Sequence, residues 1–347
     1  MTHFDSDYNN GAHPLVLQHL VDTNSGHSTS YGYDEWSEHA RKMIRKLIGC
    51  PEAGIEFLVG GTQTNATVID SMLYPGDGVI AVNTGHIAVH EAGAVEFTGH
   101  KVITLTDHDG KMSALELKEY MQRFKADETS EHMVQPGLVY ITFPTELGTL
   151  YSAHEIESIY DVCNEFDLHL YIDGARLGYG LMSADCDFNM AWLAHHCHAF
   201  YIGGTKEGAL CGEAVVFPQG NEPRNFFTSI KRHGAMLAKG RLIGAQFEAL
   251  FTDNLYLRIS KHAIDMAQQL RSIFIEAGYR MYNDSPTNQQ FVVLPNKILD
   301  QLHEHIKYEF WEPLDHEQML CRFVTSWATT QEDLDALKTA LSTIAKA

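Results

Sequence analysis

The stretch LHLYIDGAR, Leu168 to Arg176, decides how the chain is read. Leu168–Ile172 is a short apolar run, and it stops on Asp173 followed by glycine. A strand buried on both faces and ending on a carboxylate is expected in a parallel sheet whose carboxyl edge opens onto a ligand. The next apolar run, Ala199–Ile202 (AFYI), ends in a similar way on Gly203-Gly204-Thr205-Lys206. Working outward, Gly54–Val59, Gly78–Val82, Lys101–Leu105, Gly137–Phe143 and Glu213–Phe217 also read as strands. Helical stretches lie between them, with Thr62–Met72, Ser113–Phe124, Ala153–Phe166 and Phe188–His195 as the best examples. Strand and helix in alternation predict an α/β fold with a mostly parallel, seven-stranded sheet.

A chain of 347 residues is long enough for a large domain and a smaller one. Lys231–Phe251 reads as one long linking helix. Beyond it the order is helix (Ile259–Ala277), strands (Gln289–Leu294, Lys307–Glu309, Met319–Val324) and a last helix (Glu332–Ala345), which suits a small α+β C-terminal domain. The expected division is an N-terminal segment 1–15 contributing to the active site, a large domain 16–252 and a small domain 253–347. The formal charge of -20 argues against nucleic acid and anionic membranes as partners. No apolar run reaches the roughly 18 residues of a membrane span, and residues 1–10 lack the basic and apolar regions of a secretory signal. The six scattered cysteines contain no Cys-x-x-Cys pair and suggest free thiols in the cytoplasm.

The chemistry should lie just past the strands. Gly60-Gly61-Thr62-Gln63-Thr64-Asn65 follows the first strand and opens a helix. Glycines permit close backbone approach, and a helix start offers free N–H groups to a phosphate; an ordinary capped turn is the plain alternative. Asp173 is placed to pair with a protonated pyridine nitrogen, or else to cap a turn or pair with Arg176. Lys206, desolvated among glycines, has the setting of a Schiff-base lysine, with Thr205 beside it to touch a phosphate. Each signal alone is weak. The ordered set of phosphate turn, strand-end Asp173 and strand-end Lys206 is how an enzyme holds pyridoxal 5′-phosphate (PLP). His86, after the second strand, suits either the face of the cofactor ring or a plain helix start, and Arg322 in the apolar run Cys321–Val324 suits a substrate carboxylate or a structural ion pair.

With these landmarks the chain resembles L-threonine aldolases of the low-specificity type, within the fold-type I, beta-eliminating lyase group of PLP enzymes. The resemblance runs over nearly the whole length. It rests on Phe4-Asp5-Ser6-Asp7, Tyr31-Gly32-Tyr33-Asp34, GGTQTN, His86 with Glu91-Ala92-Gly93, Tyr171–Leu177, Thr205-Lys206 and Arg322. It implies a PLP-dependent transferase-like fold. It also implies Lys206 as the Schiff-base lysine, Asp173 on the pyridine nitrogen, His86 stacked on the ring, and Gly61 and Thr62 at the phosphate. Ser6, Arg176 and Arg322 would surround the substrate carboxylate. Tyr31 would be lent by a neighbouring subunit of a homodimer or homotetramer. Lys239, with Lys231 and Arg232 close by, is the candidate for a further phosphate-holding cation. Where many members carry a second active-site histidine, this chain has Glu146, in Phe143-Pro144-Thr145-Glu146-Leu147-Gly148.

The implied reaction is retro-aldol cleavage of an L-β-hydroxy-α-amino acid, of threonine, allo-threonine or phenylserine type, to glycine and an aldehyde. The base for the β-hydroxyl proton would be Glu146, His90 or a water held by His86, the water being favoured. β-Elimination or aminotransfer on the same scaffold is the alternative. No metal is expected: His195-His196-Cys197-His198 is dense, but within that cluster no His-x-x-x-His spacing supports a ligand set.

Overall fold

The computed structural model describes residues 1–344. Its large sheet has seven strands: β1 Gly54–Leu58, β2 Asp77–Val82, β3 Lys101–Leu105, β4 Gln135–Thr142, β5 His169–Asp173, β6 Ala199–Gly203 and β7 Glu213–Phe217. Their spatial order is β1-β7-β6-β5-β4-β2-β3. The neighbours from β6 through β3 pair in parallel, whereas β7 is antiparallel to both β6 and β1. The fold class expected from the sequence is the one observed.

Side-chain alternation explains both faces of this sheet. Ile80, Val82, Val139, Ile141, Leu170, Ile172, Phe200 and Ile202 point into one core. Val79, Ala81, Leu138, Tyr140, Tyr171, Ala199 and Tyr201 point into the other. Helices cover both layers, so the strands read as continuous apolar runs. A helix over Glu35–Ile48, not picked out from the sequence, packs on one face. Asp34 caps its start by accepting from the Ser37 N–H at 2.8 Å, and Gly49 with φ 70° ends it. Such a cap contributes about 1 kcal/mol.

The expected long helix over Lys231–Phe251 is wrong. Helices run over Phe226–Arg232 and Arg241–Phe251, and the chain between them turns. Gly234 takes φ +72°, a conformation that β-carbon-bearing residues avoid. Gly240 packs so closely on Gly32 that a β-carbon would sit 2.3 Å from the Gly32 nitrogen.

The next helix is Leu255–Glu276, longer at its start than expected. The predicted strand at Lys307–Glu309 is two strands. Ile306–Lys307 pairs in parallel with Thr2–His3, and Glu309–Pro313 joins an antiparallel sheet with Gln289–Pro295, Gln318–Val324 and the short Arg280–Met281. The last helix spans Gln331–Ile344; the predicted end at Ala345 lies outside the described residues. Phe4, fully buried, sits in the C-terminal core with Phe274, Phe323 and Leu337. Its N–H donates to Lys307 O at 2.8 Å and its carbonyl accepts from Val324 N–H at 2.7 Å. The N-terminal segment is thereby woven into the C-terminal layer, and it carries Asp7 and Tyr8 toward the large sheet. Among the described residues no helix is long and apolar enough to cross a membrane.

Candidate active site

Parallel strands put their carboxyl ends on one edge of the sheet. The turns after β1, β2, β4, β5 and β6 converge there on a cavity of about 240 Å³. Gly61, Thr62, His86, Glu146, Asp173, Arg176, Thr205 and Lys206 all line it, as do Tyr8, Asn65, Tyr201 and Glu213.

Asp173 ends β5 on the same face as Tyr171. Register sets Tyr140 opposite Tyr171, so the tyrosines crowd beneath the carboxylate. The Tyr140 hydroxyl donates to Asp173 Oδ2 at 2.6 Å, Asn65 Nδ2 donates to the same oxygen at 2.9 Å, and the Ala175 N–H donates to Oδ1 at 2.9 Å. Burial opposes ionisation, but the His86 imidazole and the bonds from Tyr140, Tyr201 and Asn65 outweigh it and hold the carboxyl below its usual range. Asp173 is thus a buried, fixed anion and is not paired with Arg176.

Asn65 ties this anion to the histidine. Its oxygen accepts from Tyr171 at 3.0 Å, which orients the amide, and its second N–H donates to Glu91 Oε1 at 2.7 Å. That same oxygen lies 2.7 Å from His86 Nδ1 and fixes the ring. A histidine held at Nδ1 by a buried carboxylate presents Nε2 elsewhere.

Lys206 follows β6 in a turn made possible by close packing. A β-carbon on Gly203 would lie 2.4 Å from the Ala175 carbonyl oxygen. The amine lies 5.9 Å from the centre of the Tyr8 ring. Burial and the Arg176 charge pull it down to about 8, against the opposing pull of Asp7, Asp173 and Glu213. A buried lysine at this value has an accessible neutral, nucleophilic form.

Glu146 turns its carboxyl back on the turn after β2. Oε1 accepts from the His86 N–H at 2.8 Å and the Thr142 hydroxyl at 2.7 Å. Oε2 is buried and has no partner among the described residues. Burial raises this carboxyl, against the bonds that favour its charge.

The remaining candidates are more dispersed. Arg176 lines the cavity, but its Nε and Nη2 grip Asp7 at 2.6 and 3.0 Å, and Asn288 adds a bond to Asp7 at 2.9 Å. Arg322 lies outside the cavity lining. It bonds Gln289 at 2.8 Å, pairs with Glu309 and stacks on Trp311, while its buried Nε is unpartnered among the described residues. Ser6 accepts from the Tyr8 N–H at 3.3 Å and does not reach the cavity lining. His90 does not line it either; its ring is 6.4 Å from Trp311. Tyr31 and Lys239 are exposed and also lie off the cavity of their own chain. Tyr31, with φ 62°, stacks under Lys231 at 4.8 Å. The expectation that Lys239 holds a phosphate is therefore not met within one chain.

The fold and cavity define a fold-type I α/β enzyme, with a lysine and an aspartate at neighbouring strand ends. The chain belongs to the beta-eliminating lyase family, whose model matches residues 4–296. It is 28% identical to a low specificity L-threonine aldolase of Pseudomonas sp. (strain NCIMB 10558), over 94% of this chain and 93% of that protein. The solved structure of Leishmania major threonine aldolase is 37% identical and superposes with a TM-score of 0.95, covering 99% of each chain. Thermus thermophilus aspartate aminotransferase, at 14% identity and TM-score 0.71 over 99% of this chain and 91% of that one, shares the fold.

Proposed function

We propose that this chain is a PLP-dependent aldehyde-lyase that cleaves an L-β-hydroxy-α-amino acid, of threonine, allo-threonine or phenylserine type, to glycine and an aldehyde. One observation carries the cofactor assignment: a buried, ionised Asp173 and a neutralisable Lys206 line the same pocket, at the ends of adjacent strands. The likeness to threonine aldolases supports the choice of reaction over β-elimination or aminotransfer.

The residues present fit the cofactor. Asp173 would hold its pyridine nitrogen, Lys206 its aldehyde carbon, Gly61 and Thr62 its phosphate, and His86 the face of its ring. When bound, PLP supplies an electron sink for the pair released as the Cα–Cβ bond breaks. Arg176, through the amino group Asp7 leaves free, would hold the substrate carboxylate; Arg322 lies outside the cavity lining and would have to move to add its unpartnered Nε. Glu146 Oε2 would accept the proton of the β-hydroxyl. Glu146 lines the cavity and His90 does not, which supports Glu146 over His90; a water held by His86 is the second reading. A carboxylate made more basic by burial is suited to the task.

Tyr31 and Lys239 would serve a neighbouring subunit's pocket in a homodimer or homotetramer. Exposed Leu15, Leu17, Val21, Tyr31 and Tyr33 support a self-association surface. The six cysteines are unpaired, which supports a reducing, cytoplasmic location. Incubation of the PLP-loaded protein with L-threonine and L-phenylserine tests the reaction. Glycine and aldehyde in equal amounts are expected; pyruvate or another keto acid would contradict it.

A further inference from the structure

We propose that Glu213 belongs to the cofactor's phosphate site and acts as its proton store: the phosphate end binds with uptake of one solvent proton by Glu213, which releases the Thr205 hydroxyl to donate to the anion. The inference rests on the PLP reading above and deepens it.

Topology puts Glu213 at the phosphate end. Because β7 is antiparallel to its neighbours, its first residue lies at the edge where the other strands end. Glu213 sits opposite Leu58, the last residue of β1, and opposite Gly203, the last of β6. The first leads into the Gly60-Gly61-Thr62 turn and the second into Thr205-Lys206. The side chain is 3% exposed and lines the cavity.

Its bonds commit Thr205. Glu213 Oε2 accepts from the Gly204 N–H at 2.9 Å, and Oε1 accepts from the Thr205 hydroxyl at 2.8 Å. The Thr205 oxygen accepts from the Gly212 N–H at 3.1 Å. A threonine hydroxyl has one proton to give. While Glu213 is ionised that proton faces the carboxylate, and Thr205 has none for a phosphate. Once Glu213 is protonated, it donates to Thr205. The hydroxyl then accepts from Gly212 and Glu213 and donates to the anion, with its bonding capacity filled. The same proton removes a negative charge that would repel the phosphate.

The groups facing Glu213 allow this. They are Lys206 after β6, Asp173 and Tyr171 on β5, Tyr201 on β6 and Cys211 before β7. Lys206 is the one cation among them, and Asp173 opposes it. Burial dominates and raises the Glu213 carboxyl to about 7, although the Gly204 and Thr205 bonds and Lys206 pull it down.

The test is calorimetric binding of pyridoxine 5′-phosphate to the cofactor-free full chain near pH 8, in two buffers of different ionisation enthalpy. This probe carries the phosphate and ring but no aldehyde, so no Schiff base forms on Lys206. Because Lys206, at about 8, can also change protonation near this pH, the Glu213 share is the difference between the two proteins: the wild type should take up close to one proton more than Glu213→Gln. Wild-type affinity should fall up to about tenfold per pH unit above the Glu213 titration, a dependence that Glu213→Gln lacks. Binding by the wild type without proton uptake would overturn the proposal even if the variant does not fold. Equal uptake by both proteins would also overturn it. Failure of the wild type to bind either this probe or PLP would overturn the cofactor reading along with it.

Discussion

The two ends of the pocket are built differently. At the ring end, Asp173, Asn65, Glu91 and His86 form a continuous line of bonds, with one buried oxygen, Glu91 Oε2, unpartnered among the described residues. At the substrate end atoms are left over: Glu146 Oε2, on the cavity lining, and Arg322 Nε, outside it, are both buried without partners among the described residues. A buried polar group left unpaired is costly unless something else satisfies it. The ring end therefore reads as a preformed socket for a permanent resident. The substrate end reads as a site completed by a visitor that brings a hydroxyl and a carboxylate.

This contrast can be broken residue by residue. Replacing Lys206 with Ala should lower turnover by about 1,000-fold or more, read by aldehyde release, because the nucleophilic amine is gone. Asp173→Asn should follow closely in turnover and weaken PLP binding as well, since the fixed anion is lost while the shape is kept. Glu146→Gln should reduce kcat by about 100-fold with little change in PLP affinity, because the glutamine oxygen can still accept from the His86 N–H; an unchanged kcat would exclude Glu146 as the base. Asp7→Asn should raise KM more than it lowers kcat by loosening Arg176, and should cost about 3 kcal/mol of stability in chemical denaturation.

A further effect is on pH dependence. Glu213 titrates at about 7 in the folded chain, against 4.5 for an ordinary glutamate. Between these values the native state keeps a proton that the unfolded chain has lost. Stability of the cofactor-free chain should therefore fall as pH rises from 4.5 to about 7, by about 3 kcal/mol in full. Denaturation midpoints across that range should show the loss, and Glu213→Gln should remove this share of it.

The same contrast explains what the sequence revealed. Asp173, Lys206, Gly61 and His86 each follow a parallel strand directly, so looking past every apolar run finds them. Glu213 escapes that search because it precedes a strand, and β7 is the one strand of the sheet that runs backwards. Alternating apolar residues do not report strand direction. Asn65 lay inside the quoted GGTQTN stretch, but its role depends on Tyr171 and Glu91, which only the folded sheet brings near. Tyr8 reaches the pocket, and Asp7 reaches Arg176 on its lining, because Phe4 is anchored in a core formed by residues between Leu270 and Leu341. No local pattern carries such a contact, and only family resemblance hinted at it. The long helix expected at 231–251 failed because an apolar period runs on regardless of Gly234, whose left-handed turn ends the helix.

The central claim is that Lys206 is the residue to which PLP is bound. Borohydride reduction of the PLP-loaded protein, followed by peptide mass spectrometry, tests it directly. The structure predicts a single pyridoxyl-phosphate adduct on Lys206. Labelling of a different lysine, or no adduct in protein that still cleaves substrate, would contradict it.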